Sequence, residues 1–281
     1  MGLARTARAL RHSGAVLDEL VDVASRVEAG DYSARVRQPV RGPRPVRDLV
    51  RAFDTMAARL EADETQRRSL LADVTHELRT PLAVVQGNLE AIIDGVHPPD
   101  EAHLTSILDE TRVLTLLVED LRTLALSEAG SLSLHREPTD LAILAADVAS
   151  AFEAAAGSAG VAIEAEVDES LPLLDIDPVR IREVISNLVG NAIRHTPAGG
   201  TIRISGRLDG AFVDLVVTDT GTGIESDLLP HVFERFTRST STGGSGLGLA
   251  IARGLVELHG GTIAASSPAD GGTRIEVRLP A

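Results

Sequence analysis

Asp73-Val74-Thr75-His76-Glu77-Leu78-Arg79-Thr80-Pro81-Leu82 lies in the middle of a segment whose apolar residues recur at helical spacing. The stripe runs Leu70, Val74, Leu78, Leu82, Val85, Leu89 and Ile92, and from Leu60 onward only Pro81 interrupts the pattern. His76 stands two residues from Val74 and from Leu78, about 200° around the helix from each, so its imidazole points away from the stripe toward solvent. Thr80, four residues on, shares that face. Pro81 cannot donate to the carbonyl of Glu77 and crowds it, which predicts a bend beside the imidazole. A proline inside a helix costs about 3 kcal/mol, more than a bland surface helix would be expected to carry.

Outward from this segment, Gly95-Val96-His97-Pro98-Pro99 ends the helix, and a second stripe follows through Leu104, Ile107 or Leu108, Leu114, Leu117 and Leu121. Two long antiparallel helices with a tight turn form a hairpin. One hairpin buries one side of each stripe, whereas two packed as a four-helix bundle bury all of them, so the pattern predicts a homodimer. Toward the N-terminus, Leu17, Leu20, Ala24 and Val27 predict a helix ending at Ala29-Gly30. Residues 31–46 read as a connector, with Pro39, Gly42, Pro43 and Pro45 opposing regular structure, before a second helix through Val46, Leu49, Phe53, Met56 and Leu60.

Beyond Ser131 the texture changes. Helices are predicted over Leu141–Ala156, Pro178–Ile193 and Gly246–His259. Strands are predicted over Val161–Val167, Thr201–Leu208, Phe212–Thr218, Thr262–Ser266 and Thr273–Leu279, with Asp209-Gly210 as a hairpin turn. Helices alternating with antiparallel strands predict a separate α/β sandwich.

Three further clusters carry chemistry. Asn187 and Asn191, at i and i+4, put two amides on one helix face, and amide oxygens can ligate a hard cation without adding negative charge. Asp219-Thr220-Gly221-Thr222-Gly223 follows a strand directly; the aspartate can accept from an amine, and the glycines permit a tight turn near a ligand. Gly243-Gly244-Ser245-Gly246-Leu247-Gly248 opens a helix, where backbone N–H groups and the positive dipole end suit phosphate. Phe233-Glu234-Arg235-Phe236, with Arg238, lies between them.

Composition bounds the rest. The net charge of −14 opposes a general nucleic-acid binder. Lysine is absent, so every fixed cation is an arginine, and with no cysteine there are no disulfides or thiolate metal sites. Aromatic residues make up 2%, which leaves the core to aliphatic side chains. The longest apolar stretch, around Leu141–Ile163, is interrupted by Asp147 and Glu153, so no bilayer span is expected.

The run His76-Glu77-Leu78-Arg79-Thr80-Pro81-Leu82 resembles the phosphoacceptor box of bacterial sensor histidine kinases of two-component systems. The asparagine, aspartate, phenylalanine and glycine clusters, in that order, resemble the ATP site of the Bergerat (GHKL) fold. Residues 1–65 resemble a HAMP relay module through Gly30-Asp31 and Ala52-Phe53-Asp54-Thr55-Met56, with departures at Val16 and Pro45. The implied architecture is α plus α/β: relay module (1–65), dimeric helical hairpin (66–130) and ATP-binding sandwich (131–281). The resemblance implies autophosphorylation of His76 with Mg-ATP and transfer to an aspartate on a response-regulator receiver domain. It makes His76 the nucleophile, Glu77 its proton acceptor and Thr80 a water-positioning residue for phosphatase activity. A neutral imidazole is nucleophilic at cellular pH without strong activation.

By the same resemblance Asn191 and Asn187 hold Mg²⁺, and Arg194 and Arg238 lie near the phosphates, with Arg235 a lesser candidate. Asp219 reads the adenine amine, Gly221 and Gly223 line the base pocket, and Gly244, Gly246 and Gly248 flank the nucleotide. His195, Ile224, Leu247 and Thr273 complete the contacts, and a lid runs from about Ile224 to Gly244. Asn187 stands where hydrolytic relatives place a glutamate base, which favours kinase over ATPase; a nucleotide-binding scaffold without catalysis is the other class. The chain is expected to be a cytoplasmic piece or short form of a membrane sensor.

Overall fold

The computed structural model describes residues 18–36, 44–128, 130–168, 170–237, 245–268 and 271–281. The chain divides between His76 and Glu77 into two compact units. In the first, helix α1 covers residues 18–28 and ends where Gly30 takes a positive φ of 92°. The amides of Gly30 and Asp31 donate back to the carbonyls of Val27 and Arg26. Val23, Val27, Ala34 and Ala57 form a small core against Tyr32, Val36, Phe53 and Leu60. Arg35 secures the segment after α1 to the following helix through Glu61 at 2.6 Å.

That helix, α2, runs unbroken over Arg44–Ile93. One expectation is corrected here. Pro45 does not belong to a connector but to the first turn of α2, where its missing N–H would have had no helical partner. As the unbroken pattern from Leu60 predicts, the second relay helix and the first hairpin helix are one element. Val16, Pro39, Gly42 and Pro43 lie outside the described residues.

The second unit continues α2 through Pro81 to a left-handed Gly95. Helix α3 follows over Glu101–Glu128. Its stripe resolves the earlier alternative: Ile107 is partly buried, whereas Leu108 is 49% exposed. Leu82, Leu89 and Leu104 remain 50%, 42% and 51% exposed, so this chain alone leaves much of the hairpin stripe uncovered.

The α/β part contains β1 (Glu137–Thr139), α4 (Leu141–Ala159), β2 (Ala162–Val167), β3 (Leu174–Ile176), α5 (Pro178–His195), β4 (Thr201–Asp209), β5 (Phe212–Asp219), α6 (Gly248–Leu258), β6 (Thr262–Ser266) and β7 (Thr273–Pro280). The main sheet has strand order β2-β4-β5-β7-β6, and β1 pairs with β3 separately. The expectation of a wholly antiparallel sheet is corrected: β2 lies parallel to β4. Parallel neighbours need a long crossover, and the segment carrying α5 supplies it. Helices α4, α5 and α6 and the inner sheet face share one apolar core, centred on Leu188, Ile204, Leu215 and Ile251.

By length and composition alone helix α4 would pass for a membrane-crossing helix, Asp147 and Glu153 notwithstanding. In the fold its stripe Leu141, Leu144, Ala145 and Val148 is buried. Asp140 caps its N-terminus, and Gly160 at φ 71° closes its end.

Asp177 organises the start of α5. Its Oδ1 accepts from the amides of Val179 and Arg180, and its Oδ2 from that of His135. Its own amide donates to His259 Nε2 at 3.0 Å, just beyond the end of α6. The other ring nitrogen, Nδ1, donates to the carbonyl of Leu255 at 2.7 Å, which fixes a neutral tautomer. Burial pushes the Asp177 carboxyl up, but its amide donors outweigh this and hold it below the usual carboxylate value. Burial holds His259 below the usual imidazole value of 6.5.

Removing the Asp177 side chain should therefore cost about 2 kcal/mol, a lost helix cap plus the lost bond from the part-buried His135 amide, measured by thermal unfolding of Asp177→Ala. Because the unfolded chain binds protons at His259 more readily than the folded one, stability should fall as pH drops through 6.5. Unfolding of His259→Asn followed over that range should show a shallower pH slope.

Candidate functional site

The end of β5 and the turn between β6 and β7 form a knot around Asp219. Its Oδ1 accepts from the amides of Gly221 at 2.8 Å and Thr273 at 3.1 Å. The pairing of β5 with β7 sets Thr273 directly opposite Asp219. Backbone crowding explains the glycines. A β-carbon on Gly221 would lie 2.4 Å from the His195 carbonyl oxygen, and one on Gly272 would lie 2.0 Å from the Asp219 carbonyl oxygen. Gly272 also takes a φ of +81°. Ser267 completes the knot: its hydroxyl accepts from the Ile224 amide and donates to the Gly272 carbonyl. His195, Asp219, Gly221, Gly223, Ile224 and Thr273 are thus assembled in one place. Ser267 and Gly272 were missed in the sequence, although the pair Gly271-Gly272 signals a turn.

Asn187 and Asn191 are half-buried on one face of α5, and Arg194 is exposed in its last turn. The Asn187 side-chain nitrogen is buried and has no partner. Gly248, the first residue of α6, rests on this amide: a β-carbon there would lie 3.4 Å from Asn187 Cγ and Oδ1. An unsatisfied polar group beside the start of a helix is a place where a polar ligand lowers the energy. These groups fit a nucleotide phosphate with its cation: an unpaired amide, a helix N-terminus, and amides rather than carboxylates at both 187 and 191. Burial holds His195 below the usual imidazole value, and the charge of Arg194 adds to this.

The loop before α6 is fixed at both ends. Phe236 donates its amide to the Gly246 carbonyl at 2.8 Å, and Phe233 and Phe236 pack against the core. Phe236 adopts a left-handed φ of 58°, unusual for a residue with a β-carbon. Leu247 is fully buried, and its amide donates to Ser245 Oγ at 3.3 Å. Within the first part of the expected lid, residues 224–237, Ile224, Phe233 and Phe236 are tied to the rest of the domain. Arg238 and Gly244 lie outside the described residues.

On α2, His76 is exposed, as its spacing from the stripe predicts, and it is the last residue of the first unit. Glu77 is half-buried and Thr80 exposed in the second unit, where Leu78 packs against the core.

Comparison with known proteins places this geometry. Residues 176–281 match the family of histidine kinase-, DNA gyrase B- and HSP90-like ATPases, residues 66–130 the His Kinase A phospho-acceptor domain, and residues 17–62 the HAMP domain. The sheet domain is therefore an ATP-binding domain of that ATPase class. The histidine kinase AdeS of Acinetobacter baumannii is 34% identical with a TM-score of 0.65, covering 73% of this chain and 97% of that one. The chain belongs to the bacterial sensor histidine kinases. Signal transduction histidine-protein kinase BaeS of Escherichia coli is 36% identical over 271 residues, 95% of this chain and 57% of BaeS. Probable sensor histidine kinase TcrY of Mycobacterium tuberculosis is 36% identical over 288 residues, 96% of this chain and 59% of TcrY. The chain thus spans under two thirds of the length of these relatives.

Replacing Gly272 by alanine would force the Asp219 backbone to move. Gly272→Ala should lose about 2 kcal/mol or more of stability, read by chemical denaturation, and nucleotide affinity should fall with it.

Proposed function

We propose that this chain phosphorylates its own His76 from ATP and passes the phosphoryl group to an aspartate of a response regulator. The observation that carries this is the Asp219 knot. Both bonds that Asp219 accepts fall on Oδ1, which leaves Oδ2 to accept from the exocyclic amine of adenine. Gly221, Gly223 and Ile224 give the base room, His195 and Thr273 bound it, and the N-terminus of α6 at Gly246, Leu247 and Gly248 receives the phosphates. Arg194, Arg238 and Gly244 contribute at the phosphate end.

Asn191 and Asn187 would hold Mg²⁺, which supplies charge neutralisation along the triphosphate. An imidazole nitrogen of His76 attacks the γ-phosphorus as the bond to the β-γ bridging oxygen breaks, releasing ADP. Glu77 accepts the ring proton, and Thr80 positions the water that, in a separate phosphatase reaction, attacks the regulator's phosphoaspartate and releases inorganic phosphate. With Asn187 where hydrolytic relatives place a glutamate, that position offers no carboxylate base to activate water, so the phosphoryl group waits for the histidine.

The working division is a relay module (1–65), a dimerising phosphoacceptor hairpin (66–130) and the catalytic domain (131–281). Dimerisation follows from the uncovered hairpin stripe together with the matched phospho-acceptor domain. A solved complex of histidine kinase ThkA with response regulator TrrA, 24% identical and similar in fold with a TM-score of 0.63, is consistent with a receiver-domain partner. The matched HAMP domain supports a place at the cytoplasmic face of a membrane in the intact protein.

Incubation with γ-labelled ATP and Mg²⁺ should leave an acid-labile, alkali-stable label on the protein, absent from His76→Gln. Asp219→Asn should bind ATP about tenfold or more weakly, because it sets an amide donor against the adenine amine. Acid-stable label persisting in His76→Gln would overturn the assignment.

A further inference from the structure

Helix α3 is packed onto the catalytic core rather than standing apart from it. Leu117 and Leu124 are buried in the cluster that contains Leu247, Ile251 and Leu255 of the glycine loop and α6, and Leu121 packs against it. Farther along, Ser127 presses on α6 at Gly254, where a β-carbon would come within 2.6 Å of its hydroxyl. Among these apolar contacts lies one polar bond: Ser245 Oγ donates to Asp120 Oδ2 at 3.3 Å. The same hydroxyl accepts from the Leu247 amide, so a chain of hydrogen bonds runs from a carboxyl on α3 to the start of α6. The packing is not tight throughout. A cavity of about 320 Å³ remains between α3 and α6, lined by Leu124, Ser127, Arg253 and Glu257 among others. A loosely packed seam of this kind separates at less cost than a close-packed core.

We propose that the Asp120–Ser245 contact is a latch that ties α3 to the glycine-rich loop and opposes nucleotide at the N-terminus of α6. The inference rests on the nucleotide site proposed above and concerns its regulation. A triphosphate entering that site needs the amides at the start of α6, one of which is engaged with Ser245 in the docked arrangement. Nucleotide and docked α3 are therefore antagonists, and by linkage each weakens the other.

The latch also responds to acid. Burial raises the Asp120 carboxyl to about 6, the Ser245 hydroxyl lowers it in part, and Glu183 and Glu119 add like-charge repulsion. Glu183 reaches the site from α5, where it pairs with Arg180 at 2.8 Å, and Glu119 is the neighbour on α3 itself. A carboxyl whose value is raised on docking favours docking when protonated. Docking is strongest below the ordinary value of 3.8 and weakens as pH rises through about 6.

The test uses the full chain and two variants. Asp120→Asn is neutral at every pH and keeps the hydrogen bond, whereas Gly254→Leu wedges α3 off α6 without touching the latch. Binding of a non-hydrolysable ATP analogue with Mg²⁺ is titrated between about pH 5 and 8, and amide exchange over residues 117–127 is measured without nucleotide. At pH 7.5 Asp120→Asn should bind about fivefold more weakly than wild type and exchange more slowly over α3. That difference should vanish near pH 5, and Gly254→Leu should shift both readouts the opposite way. Equal affinity and equal exchange in wild type and Asp120→Asn at all pH values would overturn the latch while leaving the nucleotide site intact. Failure of the wild type to bind the analogue at any pH would overturn the nucleotide site, and the latch with it.

Discussion

One oxygen of the Asp219 carboxylate is committed to the protein itself, bonded to the amides of Gly221 and Thr273. Those two amides come from different strand ends, so the bond exists only if β5 and β7 are in register and the chain turns back sharply on both sides. The sharp turns bring backbone within a β-carbon's reach of backbone, which is why Gly221 and Gly272 have no side chains. The C-terminal carbonyl of α5, at His195, is drawn into the same crowding. Recognition of a base amine by the remaining oxygen thus depends on a sheet register, two glycines and a helix end together.

Helix α6 is the other element on which the site turns, and it is held from both ends. Beyond its C-terminus His259 is fixed as a neutral tautomer between Asp177 and Leu255, which joins the end of α6 to the beginning of α5. At its N-terminus Leu247 is buried and bonded to Ser245, and Gly248 lies against Asn187. The two helices that carry the asparagines and the glycine loop are therefore braced against each other. The adjustable partner is α3, whose contact with α6 includes a cavity and a single carboxyl–hydroxyl bond.

Most of this was legible in the sequence where the signal is local. The predicted helices and strands of the α/β part fall within a few residues of those observed, because their apolar periodicity and the Asp209-Gly210 turn are local signals. The outward direction of His76 followed from its spacing to Val74 and Leu78. Signals that require distant partners were not readable. The three-residue strands β1 and β3 exist by pairing with each other, and β2 is parallel only because of where α5 returns the chain. Ser267, Gly272 and Asp120 act through residues far away in sequence, and a lone serine, glycine or aspartate announces nothing. Pro45 misled because proline is excluded from helix interiors but accepted in a first turn.

The absence of lysine bears on the outer face and rim of the sheet. Arg203 bridges Glu164 and Glu166 of the neighbouring strand, and Arg278 grips Asp214 with two nitrogens while lying over the ring of Phe212. Flat, forked guanidinium groups bind carboxylates in pairs and cover the apolar backbone beneath them. The edge strand β2 accordingly displays two glutamates already tied to its only partner. A strand from another copy arriving at that rim would have to break these ties and accept uncompensated charge. Strand addition at that edge is thereby discouraged.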